Sequence, residues 1–204
     1  GTLCIQNIQP AQTAEAATVK IKYKYNGRNK TYKGKKRTIK YNGKTISLSG
    51  TQPFVWSKYN MAPYYETFVK SQIKAAKKYT SKTKTVELKA NGHELKFKVN
   101  SRTIYVDGVK KKLAVAPKLI TYRSSGKKRI LVPVKTIAGY LGFKYSYSSK
   151  TGIMKLTKKA EESTTQSPTD TTQQPNSNAA LQSGELRAMW ISYIEFQAYL
   201  DSYK

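Results

Sequence analysis

The sequence predicts a strand-rich α+β fold, a tandem duplication of a β-hairpin/β-hairpin/α unit. Three observations lead to it. Apolar and polar residues alternate with period two over short segments, as in half-buried strands. Asn-Gly or Asp-Gly pairs, which supply the left-handed conformations of a two-residue hairpin turn, stand at matched places in two halves of the chain. One apolar stripe of helical period follows a proline in each half.

The first unit spans 18–84. Val19, Ile21, Tyr23 and Tyr25 alternate with Lys20, Lys22 and Lys24, and Asn26-Gly27 closes the hairpin. Ile39 and Tyr41 precede Asn42-Gly43, with Ile46 and Leu48 after it. Pro63 then opens a helical pattern carried by Tyr65, Phe68, Val69, Ile73 and Ala76. The second unit, 85–159, repeats this order: Asn91-Gly92, Asp107-Gly108, then Pro133 at a first helical position. Val134, Ile137, Ala138 and Leu141 form its stripe, Gly142 is a natural stop, and "GIMKL" is a closing strand. The paired glycines lie 65 residues apart, Pro63 and Pro133 70 apart, and Ser81 and Ser149 68 apart. Small insertions between matched elements are expected of a duplicated unit. Doubling has a physical reason: neither half alone encloses a sufficient core.

The chain has 38 basic and 11 acidic residues in 204, a formal charge of +27. All the basic residues except Arg187 and Lys204 fall within 18–159, where the acids are Glu66, Glu87, Glu94 and Asp107 alone. Such an imbalance points to an anionic partner. Cys4 and His93 are single, which leaves no disulfide framework and no zinc-ligand set. No nucleophile–base pair, metal cluster or phosphate loop is present, so no catalytic residue, metal ligand or cofactor is expected. No segment approaches the roughly 20 apolar residues of a membrane span.

Around the basic region the composition changes. Residues 1–17 end in Ala14-Glu15-Ala16, a small-x-small pattern of the kind signal peptidase cuts. They are expected to be a signal-peptide remnant, or else a plain leader. Leu3 before Cys4 does not fit a lipoprotein box. Residues 160–184 contain no Lys, Arg or aromatic residue and form a Ser/Thr/Gln-rich linker. Residues 185–204 turn apolar again but are too few for a core.

"LVPVKTIAGYLGFKYSYSSKTGIMKL", preceded by "VDGVKKKL", resembles the copper amine oxidase N-terminal-like (stalk) domain. The motif falls on Pro133, Lys135 (where the family usually has Arg), Ala138, Leu141 and Gly142, and the first unit looks like a more divergent copy. The resemblance implies a non-catalytic envelope module of secreted bacterial proteins, particularly Gram-positive ones. It does not imply amine oxidation. That chemistry needs three histidine copper ligands and a cofactor-forming tyrosine in an Asn-Tyr-Asp/Glu setting, which this chain lacks. "ELRAMWISYIEF" is similar to the opening of family-10-like glycoside hydrolases through Glu185, Leu186, Arg187 and Trp190. It implies the first strand of a (β/α)8 barrel whose remainder lies beyond the chain, with Glu195 an isolated carboxylate.

The expected function is therefore that of a binding or spacer module. It would hold a secreted carbohydrate-active protein at an anionic cell-wall polymer, teichoic acid or peptidoglycan, in a Gram-positive-type envelope. Lys35-Lys36-Arg37, Lys110-Lys111-Lys112 and Lys127-Lys128-Arg129 lie in or beside turns and are the candidate polymer contacts. A merely solvated lysine surface and a nucleic-acid-binding domain using Lys interleaved with Tyr are the alternatives. Tyr23, Tyr25, Tyr41 and Tyr65 fall at inward positions. Tyr59, Tyr64, Tyr145 and Tyr147 could instead form a sugar-stacking platform.

Overall fold

A computed structural model of the chain describes residues 14–159. Among these, 53% lie in strands and 10% in helices, so the architecture is mainly β. This corrects the α+β tandem that the sequence predicts.

Three sheets are present among the described residues. The six-stranded sheet has the order β2 (Arg28–Lys35), β1 (Thr18–Tyr25), β12 (Lys118–Tyr122), β13 (Lys128–Pro133), β6 (Tyr59–Pro63) and β5 (Phe54–Trp56). The five-stranded sheet is a meander of β7 (Ala76–Thr80), β8 (Thr85–Ala90), β9 (His93–Lys98), β10 (Thr103–Val106) and β11 (Val109–Lys112). The four-stranded sheet runs β14 (Phe143–Ser148), β15 (Ile153–Lys158), β3 (Thr38–Tyr41) and β4 (Lys44–Thr45). Within it β15 and β3 pair in parallel, from Ile153↔Thr38 to Leu156↔Tyr41.

Each sheet takes strands from both 18–84 and 85–159, so the two stretches do not fold as separate ββββα halves. The hairpins β1–β2 and β8–β9, matched in sequence, even lie in different sheets. Both close through Asn-Gly with positive φ at each residue, and Asn42-Gly43 and Asp107-Gly108 do the same.

The first expected helix is the other correction. It is only a π-helical turn, Tyr65–Lys70. Ser71 ends it: its hydroxyl donates to Thr67 O at 2.7 Å and accepts from Ile73 N–H at 3.2 Å, while its backbone is extended. Such local side-chain bonds compete with helix propagation. Ile73 therefore falls in a loop, and Ala76 begins β7. The second helix, α1 (Val134–Tyr140), buries the expected Val134, Ile137, Ala138 and Leu141. Pro133 is the last residue of β13 rather than the first of the helix. Gly142 follows the helix at φ +81°, where its N–H closes onto Gly139 O.

Two apolar cores share the strand β13. Ile130 and Val132 belong to the larger core with Ile39, Phe68, Leu95, Phe97 and the α1 stripe. Leu131 belongs to a smaller, aromatic core with Ile21, Tyr23, Phe54, Met61 and Tyr122. In a flat six-stranded sheet the edge strands β2 and β5 would stand about 24 Å apart. The rings of Tyr32 on β2 and Phe54 on β5 are 5.6 Å apart, so the sheet curls until its edges meet. Tyr25 and Trp56 close the same seam edge-to-face at 4.8 Å. Arg37 ties it: its Nε donates to Asn60 Oδ1 and its Nη1 to Tyr32 OH, both at 2.6 Å. Asn60 Nδ2 passes the network to Tyr145 OH on β14 at 3.2 Å.

Ala16 N–H donates to Lys150 O and Lys36 N–H to Ala17 O, so residues just before β1 join the fold. Residues 1–13 of the expected leader, the linker 160–184 and the barrel-like stretch 185–204, with Glu195, lie outside the described residues.

Because all three sheets cross the 84/85 boundary, fragments 18–84 and 85–159 expressed alone are each expected to lack a cooperative urea transition. Mixing them should restore one, as followed by near-UV circular dichroism. Arg129 donates from Nε to Glu66 Oε1 at 2.6 Å, and Glu66 is 4% exposed. Arg129→Ala leaves that carboxylate buried and unpaired and is expected to lower unfolding stability by about 3–5 kcal/mol. Arg129→Met combined with Glu66→Gln should lose less.

Candidate functional site

The hairpin β1–β2 carries seven basic residues, Lys20, Lys22, Lys24, Arg28, Lys30, Lys33 and Lys35, all exposed, and no acid. Period-two alternation puts Lys20, Lys22 and Lys24 on the face opposite Ile21 and Tyr23, which are buried. The pairing sets Lys20 directly across from Lys33, a like-charged cross-strand pair.

Beside this face is a cavity of about 390 Å³ lined by Lys20, Lys22, Gly50, Gln52, Arg123 and Ser124, with Ile21 and Tyr122 behind them. It exists because β12 pairs with β1 only at Tyr23↔Tyr122 and Lys24↔Thr121. Past Tyr122 the chain turns back through Gly126, leaving the first half of β1 without a neighbour on that side. Tyr122 OH donates to Gln52 O at 2.8 Å and anchors the cavity wall; burial raises its pKa. Three cationic residues and no carboxylate line the space, which suits an anionic group.

The five-stranded sheet differs, because it holds every described acid between Lys20 and Lys159 except Glu66. Register builds a row Lys78↔Glu87↔Lys96↔Tyr105↔Lys110 in which the acid lies between cations. Lys89 and Glu94 pair at 3.7 Å, and His93 Nδ1 meets Asp107 Oδ2 at 2.7 Å. The hydrogen bond from His93, then that from Glu94 N–H, hold the Asp107 carboxyl below its usual range.

The candidate contacts named from sequence fall into two groups. Lys36, Lys110, Lys111, Lys112 and Lys128 are exposed, with Lys110–Lys112 along the edge strand β11. Lys111 Nζ lies 5.3 Å from the Tyr140 ring centre. Lys35 Nζ donates to Ser149 O at 2.9 Å and Lys127 Nζ to Ser49 O at 3.5 Å. Arg37 and Arg129 are engaged internally, as described above, and brace the fold. Lys127 reaches Ser49, which lines a recess together with Lys36 and Arg37. The one-sided lysines of β1 were legible in the alternation of Lys20, Lys22 and Lys24, but the contacts named from sequence include neither these nor Arg123.

Of the tyrosines left open, Tyr59 is 39% exposed, while Tyr64 is buried and its pKa is pushed up to about 12, mainly by burial. Tyr145 is half-buried, and Tyr147 lies under the Arg37 guanidinium at 5.7 Å. The motif residues Pro133, Ala138 and Leu141 are buried, Gly142 is partly so, and Lys135 points to solvent. No group of three or more His, Cys, Asp or Glu able to hold a metal occurs among the described residues. No helix there is long and apolar enough to cross a membrane.

Compared with known proteins, residues 40–125 match the family described as copper amine oxidase N-terminal domain. The match is one stretch running from β3 past the end of β12, across the 84/85 boundary and short of Pro133–Gly142. No curated protein and no solved structure matches the chain.

Relieving the Lys20–Lys33 opposition should be measurable in the free protein. Lys33→Gln is expected to raise unfolding stability by about 0.2–1 kcal/mol at low ionic strength. The gain should vanish near 1 M salt, where the screening length falls to about 3 Å.

Proposed function

We propose that residues 18–159 form a non-catalytic binding and spacer module of a secreted protein of a Gram-positive-type cell envelope. Its ligand is an anionic wall polymer, teichoic acid or the carboxylate-bearing peptidoglycan. The parent protein is a glycoside-hydrolase-like enzyme, as the stretch 185–204 suggests, held at the wall by this module. The family match over 40–125 supports the stalk-like part of this reading.

The observation that carries it is the β1–β2 hairpin with its adjoining cavity: the ten exposed strand positions and the cavity lining are all basic or neutral, and none is acidic. Opposing Lys20 to Lys33 weakens the free sheet, and a polyanion bound only by the folded state returns that stability. A repeating polymer suits a face that carries Lys20, Lys22 and Lys24 at every second position of β1, with Lys33 and Lys35 beside them on β2. In the five-stranded sheet, by comparison, Glu87 lies between Lys78 and Lys96, and Glu94 pairs with Lys89.

The test is co-sedimentation of the full chain with Gram-positive cell walls, intact and stripped of teichoic acid, over a salt series. Binding is expected to fall steeply with salt and to drop on stripping. Lys20→Gln/Lys22→Gln/Lys33→Gln should weaken it about tenfold or more, each lost cation removing part of a salt-dependent contact. Binding that ignores both salt and the triple substitution would sink the proposal, as would tighter binding to single-stranded DNA than to walls.

A further inference from the structure

A second recess lies away from the β1–β2 face, between β7, the π-helical turn and the pair β12–β13. Its volume is about 530 Å³, inside the roughly 300–1,000 Å³ of small-ligand pockets. Tyr65 and Tyr79 with Leu119 and Ile130 supply its apolar wall, and Lys77, Lys84 and Lys128 its polar rim.

The strand register makes this recess unusual. Lys77 pairs with Leu88 and Tyr79 with Val86, so both share the sheet face of two fully buried core residues. A lysine and an exposed tyrosine at inward positions would disrupt a packed core. Here β7 is an edge strand, and its inward side chains overhang the recess instead of entering the core. Tyr79 is 40% exposed, and Lys77 Nζ stands 5.5 Å from the Tyr65 ring centre. Arg129 borders the same space, but its charge is taken by Glu66. No acidic residue lines the recess, and among the described residues Lys77, Lys84 and Lys128 form no ion pair with a carboxylate.

We infer that this recess is a binding site for a phosphorylated saccharide. The chemistry has two parts that must be satisfied together. The C–H-rich face of a pyranose packs on the Tyr79 ring and the apolar floor, as aromatic surfaces accept apolar surface generally. The phosphate meets the ammonium groups of Lys77, Lys84 and Lys128, which present point charges rather than a fixed fork. A bare phosphate would leave the aromatic wall wet, and a neutral sugar would leave the lysines without an anion. This site stands on its own geometry and does not need the β1–β2 surface.

The experiment is titration of the full chain with N-acetylglucosamine 1-phosphate, followed by amide chemical shifts and calorimetry. The same protein is titrated with N-acetylglucosamine, inorganic phosphate and adenosine 5′-monophosphate. The sugar phosphate is expected to bind about tenfold more tightly than either the neutral sugar or phosphate, with shifts centred on residues 77–84 and 128–130. Tyr79→Ala and Lys77→Gln should each weaken it about fivefold or more, while Tyr79→Phe stays within about twofold because the ring, not the hydroxyl, makes the contact. Lys33→Gln should leave it unchanged, which separates this site from the wall-binding face. Equal binding of phosphate and sugar phosphate would reduce the recess to an ion site and overturn the inference. Tighter binding of the nucleotide, or no localised shifts at tens of millimolar ligand, would overturn it as well.

Discussion

Strand β13 sends Leu131 into the aromatic core and Ile130 and Val132 into the larger one, and it pairs with β12 on one side and β6 on the other. Three large side chains buried on opposite faces of one strand contribute about 1.5–3 kcal/mol each. Their geometry also fixes what can surround them. The strand leads directly into α1, whose stripe packs into the larger core, and begins near Arg129, which holds the π-helical turn through Glu66. Because β13 must be covered on both faces, strands from the start and the end of the chain have to meet around it. That requirement is why no part of 18–159 separates cleanly from the rest.

Charge is then accommodated by position. The meander places Glu87 between Lys78 and Lys96 and Glu94 across from Lys89, while Lys98, Lys110 and Lys112 on the same face have no acid opposite them. The curled sheet has no such partners on β1–β2, and Arg37, just past β2, is spent on the seam between its edges. Cation–π contacts absorb some of the remainder, with Lys118 near both Tyr25 and Trp56 at 5.9 and 5.7 Å. On β1–β2, Lys20 and Lys33 remain exposed and opposed to one another. A surface held in that state at some expense of stability is a reasonable place to seek a polyanion, and the acid-free cavity beside it continues the same field.

Edges matter for the second recess as well. β7 lies at the border of its sheet, so its inward residues are released from the demand for apolarity that governs Val86 and Leu88. Lys77 and Tyr79 use that freedom. Gly152 shows the opposite situation: at φ +68°, with the Lys36 carbonyl packed directly against it, it leaves no room for a side chain where β15 enters its parallel pairing with β3.

Local chemistry was legible in the sequence. The four Asn-Gly and Asp-Gly turns, the alternation of β1, β8 and β9 and the stripe of α1 depend on residues within a few positions of each other, and all are present. Local signals failed where a side chain or a turn broke the expected pattern. Ser71 stopped a helix whose apolar spacing continued, and Ser57-Lys58 made a tight turn at positive φ without a glycine. Which hairpin joins which sheet, the parallel pairing of β15 with β3, and the diversion of Arg37 and Arg129 into internal bonds were decided only in tertiary structure. Period-two alternation tells a strand which face to bury but not which strand lies beside it. That choice is made by shape and burial among residues more than a hundred positions apart.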